Sequence, residues 1–252
     1  MNTLNALNDL MAEAWRLSAT GATPPPPAAA PRPATVTTAQ EGQLAPELVT
    51  VHAPGSAAAE GFRTLRSQLA MRAAGASQAG PALAVIGTGR GDGRSWCAAN
   101  LAVSMAQRGG PVLLLDANLR QPRLHTLFGL PGTGGLAALL RGQLDAEPVQ
   151  PVPQVPGLFL LAAGDAPTHA LELLEQPGFA RLLQTLGTRY AQVIVDTPAA
   201  ALGADAAVIA ARCDAALLVV RRHASGVSAV QALREDFAPS GKPVVGVLLN
   251  GY

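Results

Sequence analysis

The sequence predicts an α/β fold: a doubly wound, mostly parallel sheet with helices on both faces. Three observations carry that expectation. Apolar runs recur at residues 84–87, 112–116, 158–164, 192–196, 215–220 and 244–250, apolar at consecutive rather than alternate positions, as in strands buried on both faces. Stretches of helical spacing separate them, which is the alternation of a parallel sheet. Four of the runs end at Gly87, Asp116, Asp196 and Asn250, so one sheet edge would gather a glycine turn, two carboxylates and a carboxamide.

The chain opens with Leu4, Leu7, Met11 and Ala14 at helical spacing, while Asn8, Glu13 and Arg16 fall elsewhere, which predicts a short amphipathic helix over residues 1–18. Residues 19–46 are rich in Pro and Ala, with proline at every position from Pro24 to Pro27. They read as a linker, because such a segment buries too little apolar surface to fold. The domain proper is expected over residues 47–252. Its first helix carries Glu60, Arg63 and Arg66 at spacing three, on one face, where pairing of Glu60 with Arg63 is the plain account of them. The run ending at Gly87 leads through a glycine loop into a helix over residues 95–108, which stops at Gly109 and Gly110. Residues 117–135 are a loop-rich excursion that enters a short helix. Residues 170–190 are helical in two pieces divided at Pro177 and Gly178, and helices over 204–212 and 227–237 complete the alternation.

With 252 residues the chain holds one α/β domain of ordinary size plus an appendage. A net charge of +1 with no basic stripe argues against a nucleic-acid partner. Cys97 and Cys213 stand singly in apolar surroundings with no C-x-x-C spacing, and read as small core residues in a reducing compartment. No apolar run approaches the roughly 20 residues needed to span a bilayer. Asp9 and Glu13 stand where a signal peptide would be basic and then apolar. The expectation is a cytoplasmic chain with no direct membrane span, whose membrane role comes through a partner.

The chemistry is declared at residues 87–95. Gly89, Gly91 and Gly93 alternate, so the backbone can take positive φ and approach a ligand closely, and the amides of Gly93, Arg94 and Ser95 would point out of a helix start, where an anion binds. The loop approaches the P-loop form G-x-x-x-x-G-K-[ST], with Thr88 for the first glycine and Arg94 for the lysine. Phosphoryl transfer or hydrolysis there needs Mg2+, an oxygen ligand and a carboxylate at the end of a neighbouring strand. Ser95 supplies the first ligand and Asp196 is placed like a Walker B residue. Asp116 could hold an attacking hydroxyl or a metal-bound water. For an Asp at a strand end the plainer role is capping a turn or helix, and both roles stay open here.

In this order the motifs resemble the cytoplasmic domain of the bacterial tyrosine kinases of capsule and exopolysaccharide synthesis, in particular the exopolysaccharide chain-length determinant protein tyrosine kinases. The resemblance covers about residues 47–250. Gly91 to Ser95 with Ala99-Asn100-Leu101-Ala102 match its P-loop. Residues 113–122 match its second Walker-type motif, 193–198 its Walker B and 246–250 its C-terminal G-V-V-L-N. Glu60, Arg63 and Arg66 match its E-x-x-R-x-x-R helix.

The resemblance implies the fold of the partition and septum-site P-loop ATPases, and an ATP-dependent tyrosine kinase or ATPase regulating exopolysaccharide polymerisation and export, with ATP and Mg2+ as cofactors. Nucleotide contacts would come from Gly89, Gly91, Asp92, Gly93, Arg94, Ser95, Trp96 and Asn250. Metal ligation would come from Ser95, Asp116 and Asp196, and catalysis from Arg94, Asp116 and Asn118. Glu60, Arg63 and Arg66 would join subunits into a ring. A membrane-embedded chain-length determinant protein would be the partner, placing the chain at the inner face of the membrane.

Three departures keep a second reading in view. Arg94 replaces the lysine, and its planar fork is no substitute for a compact ammonium. Asn118 stands where the family has the second acid of D-x-D, which removes a charge. The tyrosines are Tyr190 and Tyr252, without a Tyr-rich tail, so little self-phosphorylation is expected. The alternative is a catalytically impaired nucleotide-binding scaffold of the same export system. A partition ATPase is less well supported, since Gly89 stands where those proteins place a second P-loop lysine.

Overall fold

The computed structural model describes residues 42–75 and 82–251; the helix expected over residues 1–18, nearly all of the linker and Tyr252 lie outside the described residues. Packing against the domain begins ahead of residue 47. Leu44 is buried and the Ala45 amide donates to the Leu127 carbonyl at 2.9 Å.

Two helices, α1 (Val49–His52) and α2 (Ala57–Gly75), precede the sheet. Then come β1 (Ala82–Gly87), α3 (Arg94–Ala106), β2 (Val112–Asp116), α4 (Leu124–Phe128), α5 (Leu136–Leu140), β3 (Gln150–Pro151) and β4 (Leu158–Leu161). The chain continues with α6 (Ala170–Glu175), α7 (Pro177–Arg189), β5 (Gln192–Asp196), α8 (Asp205–Arg212), β6 (Ala215–Arg221), α9 (Val227–Phe237) and β7 (Val244–Asn250).

The seven strands lie in the order β3-β4-β2-β5-β1-β6-β7, and every pair is parallel except β3 with β4. Every residue of β1 and β2 is buried, which is why their sequences are continuously apolar rather than alternating. Successive side chains still point to opposite faces. Ala84 and Ile86 join the core beneath α5 to α9, while Leu83 and Val85 join the core formed with α2, α3 and α4.

Among the described residues the expected strands and helices are present, with local differences of physical origin. Helix α3 ends at Ala106, and Gly109 and Gly110 follow with φ of 99° and 95°, conformations that glycine takes without a Cβ penalty. Pro177 does not break a helix but opens α7 at its first position, where the missing N–H costs nothing. The run expected to be strand as far as Gly164 leaves the sheet after Leu161. The carbonyls of Ala162 and Ala163 instead accept the amides of Leu136 and Ala137 at 2.8 Å each, which ties the long excursion back onto the sheet.

Candidate active site

Asp196 ends β5 in register with Val85 of β1 on one side and Asp116 of β2 on the other, so both carboxylates sit beside the strand that feeds the glycine loop. The loop itself is tightly held. Gly91 and Gly93 have φ of 77° and 91°, and α3 makes its first backbone bond from the Cys97 amide to the Gly93 carbonyl at 2.8 Å, so the amides ahead of it lie at the helix opening. Asp92 turns into its own loop, its Oδ2 accepting from Gly89 N at 2.7 Å and Thr88 Oγ1 at 3.1 Å, its Oδ1 from Ser225 Oγ at 2.9 Å. Asn250, at the end of β7, donates from Nδ2 to the Asp92 carbonyl at 3.0 Å. Ser225 in turn accepts from Arg221 N at 2.9 Å. Ser225 and Arg221 were missed by sequence reasoning; the one available signal was their place at the end of β6 and in the loop after it, at the carboxyl edge where such sheets carry their contacts.

Arg94 is folded into this loop rather than extended to solvent. Its Nη1 donates to the Gly89 carbonyl and its Nε to the Thr197 carbonyl at 3.2 Å, with Asp92 Oδ2 3.7 Å from Nη1. The stem runs against Gly87, where a Cβ would come within 3.1 Å of Arg94 Cγ and 2.8 Å of the Val219 carbonyl oxygen. Burial pushes the guanidinium pKa down and the nearby Asp196 and Asp92 push it up. An arginine stays charged in such a setting.

The two strand-end carboxylates differ in how they are satisfied. Asp116 accepts from Asn118 N through Oδ1, and from the amides of Arg123 and Leu124 through Oδ2, each at 3.1 Å, so it caps the opening of α4. Asn118 closes the same turn, with Nδ2 donating to the Gln121 carbonyl at 2.9 Å and Oδ1 accepting from Gln121 N at 3.2 Å. Asp196 is fully buried and makes no well-formed hydrogen bond through either carboxylate oxygen, with the Ser95 hydroxyl and the Thr197 amide beside it. Burial raises both carboxyl pKa values well above the ordinary range. For Asp116 the charge on Asp196 adds to the rise and the backbone amides oppose it; for Asp196 the opposing groups are Ser95, Arg94 and the Thr197 amide.

The remaining candidates are placed as follows. The Trp96 side chain turns away from the loop, with Nε1 donating to the Glu47 carbonyl at 2.6 Å and its ring edge-on to Phe62 at 5.2 Å. On α2, Arg63 pairs with Glu60 at 2.6 Å, the plain intrahelical bridge. Arg66 reaches α3 instead, donating to the Ser104 carbonyl at 2.6 Å. Tyr190 is buried edge-on to Phe159. Among the described residues no three His, Cys, Asp or Glu side chains group as a metal site, and no helix is long and apolar enough to cross a membrane.

No protein-family model matches the chain. Over 217 residues, 85% of its length, it is 35% identical to EpsB of Ralstonia solanacearum, of which it spans only 28%. It is 30% identical over 204 residues to the tyrosine-protein kinase YwqD of Bacillus subtilis strain 168, covering 81% of this chain and 85% of that one. The kinase domain of the Escherichia coli tyrosine kinase ETK is similar at a TM-score of 0.78 and 27% identity, over 86% of this chain and 84% of that one. MinD of Pyrococcus horikoshii, a septum site-determining protein solved with Mg-ADP, shares the fold at a TM-score of 0.60 and 21% identity, over 68% of this chain and 70% of that one. The expected architecture is therefore borne out by order, register and likeness. With a kinase matched at 30% identity over most of both lengths, the chain belongs to the bacterial tyrosine-protein kinases.

Proposed function

We propose that the chain is the ATP-dependent tyrosine-kinase unit of an exopolysaccharide or capsule export system. The observation that carries this reading is Asp196, a buried carboxylate with no well-formed hydrogen bond on either oxygen, set beside Ser95 and Arg94 under a glycine loop. An unsatisfied buried carboxylate is costly unless a cation completes it. Ser95 Oγ and the Asp196 carboxylate are the pair that would hold Mg2+, an ion that commonly takes one or two protein oxygens and fills the rest with phosphate and water. When bound, Mg2+ would neutralise charge on the transferring phosphoryl group.

The chain's own groups do the rest. Amides of residues 91–96 would cradle the phosphates at the opening of α3. Arg94 would exchange the Gly89 and Thr197 carbonyls for phosphate oxygens, trading neutral acceptors for charged ones. Asn250, Ser225 and Asp92 keep the loop in shape while this happens. Asp116 holds the turn beside Asp196 through its three backbone hydrogen bonds.

The partner in this reading is a membrane-embedded chain-length protein, with the chain at the inner face of the membrane. The matched region makes up 85% of one relative and 28% of another, so the unit occurs with little or with much further sequence, which supports a partnership of this kind. The face of α2 that carries Glu60 and Arg63 would join subunits into a ring. One observation favours the scaffold instead: Asp116 and Asn118 are both engaged in the turn over residues 118–124, which leaves the supply of a proton acceptor to Asp196 or to the partner.

Calorimetry with Mg·ADP tests the binding site. Arg94→Ala should weaken binding by about 1.5–3 kcal/mol, the worth of a charge-assisted hydrogen bond, and equal affinity would remove the assignment. Incubation with Mg·ATP and the cytoplasmic tail of a chain-length protein, read by mass spectrometry for phosphotyrosine, separates the two readings. Phosphate on the tail supports the kinase, whereas binding without transfer leaves the scaffold.

A further inference from the structure

Two arginines reach the glycine loop, one from each side, and they are held very differently. Arg94 is buried and turns toward the β5 side, donating to the carbonyls of Gly89 and Thr197. Arg221 is the last residue of β6, in register with Asn250 of β7, and its side chain is exposed. Its Nη1 lies 3.4 Å from the Gly91 carbonyl oxygen. The same nitrogen is 3.4 Å from the place a Cβ would take on Gly91, so the glycine leaves that space to the arginine. Lys242, the one lysine of the chain, precedes β7 at the opposite edge of the sheet and brings no charge here.

The backbone that presents Arg221 is pinned on all sides. Its amide donates to Ser225 Oγ at 2.9 Å, and its carbonyl accepts the amides of Ala224 and Ser225 at 3.2 and 3.0 Å. The next amide, of Arg222, donates to the Asn250 carbonyl at 2.8 Å, and Ser225 Oγ donates onward to Asp92 in the glycine loop. His223, inside this turn, has φ of 61°, the one non-glycine residue in the left-handed region among those described. Strain of that kind persists where surrounding bonds over-determine the backbone, and it gathers at ligand clamps. A fixed backbone carrying a guanidinium with one long bond to a neutral carbonyl is built to present that group to something else.

We propose that Arg221 is a phosphate-binding residue, whose guanidinium leaves the Gly91 carbonyl and grips the phosphate chain of the nucleotide at the glycine loop. The assignment rests on the nucleotide-binding reading above. Phosphate oxygens offer the guanidinium a charged acceptor and a planar two-point fit in exchange for one long, exposed bond. Arg94 gives up two bonds for a similar contact, so Arg221 is the cation redirected at the lower cost.

Calorimetry with Mg·ADP on the full chain tests this, comparing the wild type with Arg221→Ala, Arg221→Lys and Arg222→Ala. Arg221→Ala should weaken binding by about tenfold or more, and Arg221→Lys should recover part of the loss by restoring the charge. Arg222→Ala removes one neighbouring positive charge and should change affinity by less than about twofold. Without nucleotide, the melting temperature of Arg221→Ala should move by no more than about 2 °C, as for an exposed side chain. A larger fall, tracking the loss of affinity, makes Arg221 a brace of the loop and overturns the assignment. Equal losses in Arg221→Ala and Arg222→Ala, both gone at about 0.5 M salt, reduce the effect to the general field and overturn it as well. Binding by the wild type with equal affinity in Arg221→Ala removes this assignment alone, whereas a wild type that binds no Mg·ADP removes the nucleotide reading and this assignment with it.

Discussion

Gly93→Ala is a perturbation whose cost can be built up in parts. At a φ of 91° an alanine is held in a conformation that L residues enter at about 1–2 kcal/mol. A Cβ at this position would also overlap the Asn250 side-chain nitrogen, so the carboxamide must swing away and give up its bond to the Asp92 carbonyl. A buried hydrogen bond of this kind contributes about 1 kcal/mol. The sum is about 2–3 kcal/mol, which for a domain of this size lowers Tm by roughly 4–12 °C.

Gly134→Ala is the matched control. Its φ is 64°, yet nothing lies within 4 Å of the position a Cβ would take, so only the backbone part should appear, about 1 kcal/mol. Denaturant unfolding of the two single variants, and of Gly93→Ala in an Asn250→Ala background, isolates the clash, because the second alanine removes the obstructing group. If Gly93→Ala costs no more than Gly134→Ala, or if the Asn250→Ala background leaves the cost of Gly93→Ala unchanged, the inferred brace between β7 and the loop is wrong.

Three further outcomes follow from the same geometry. Asp196 has a carboxyl pKa raised on folding, so its contribution to stability is fully present below the ordinary carboxylate value of about 3.9 and is lost as pH rises through the folded value. Asp196→Asn should therefore raise Tm at pH 7–8, converge with the wild type near pH 4, and abolish any gain in nucleotide affinity from Mg2+; scanning calorimetry across that range checks the sign. Arg120 holds the buried Asp205 at the start of α8 through two bonds of 3.0 Å, so Arg120→Ala should cost about 2 kcal/mol in urea unfolding by stranding that carboxylate. On α2, Glu60→Ala with Arg63→Ala should change stability by less than about 1 kcal/mol and yet reduce the mass seen by light scattering if that face joins subunits. Arg66 is left out because its bond to Ser104 ties two helices together.

The strands were legible because burial on both faces demands consecutive apolar residues, and Val112–Asp116 and Gln192–Asp196 meet that demand with a single polar residue at the ligand edge. Strand β3 was not, since two residues, one of them proline, carry no periodicity; its pairing with β4 depends on where the preceding loop happens to return. At the site, the glycine spacing announced the loop and the strand ends announced both carboxylates. What separates Asp116 from Asp196 is three amides donated by residues 118, 123 and 124, and no pattern in the sequence marks a turn that folds back in that way. The Ser225 brace was hidden for the same reason, because it joins loops far apart in the chain. The side chain of Trp96 follows α2 rather than the ligand edge, a choice set by Phe62 and Glu47, which only tertiary contact brings to it.

Cys97 and Cys213 lie on opposite faces of the sheet, one in the core behind the glycine loop and the other beneath α8 and α9. Burial lifts both thiols out of the reactive range, Cys97 to about 12. A thiol reagent at neutral pH therefore meets neither group until the layer above it opens, and each labelling rate becomes a clock for one layer. A ligand seated on the opening of α3 slows the first clock directly, because Cys97 makes that helix's first backbone bond. It slows the second only to the extent that both layers come apart together, so the ratio of the two rates measures how far the domain behaves as one cooperative unit.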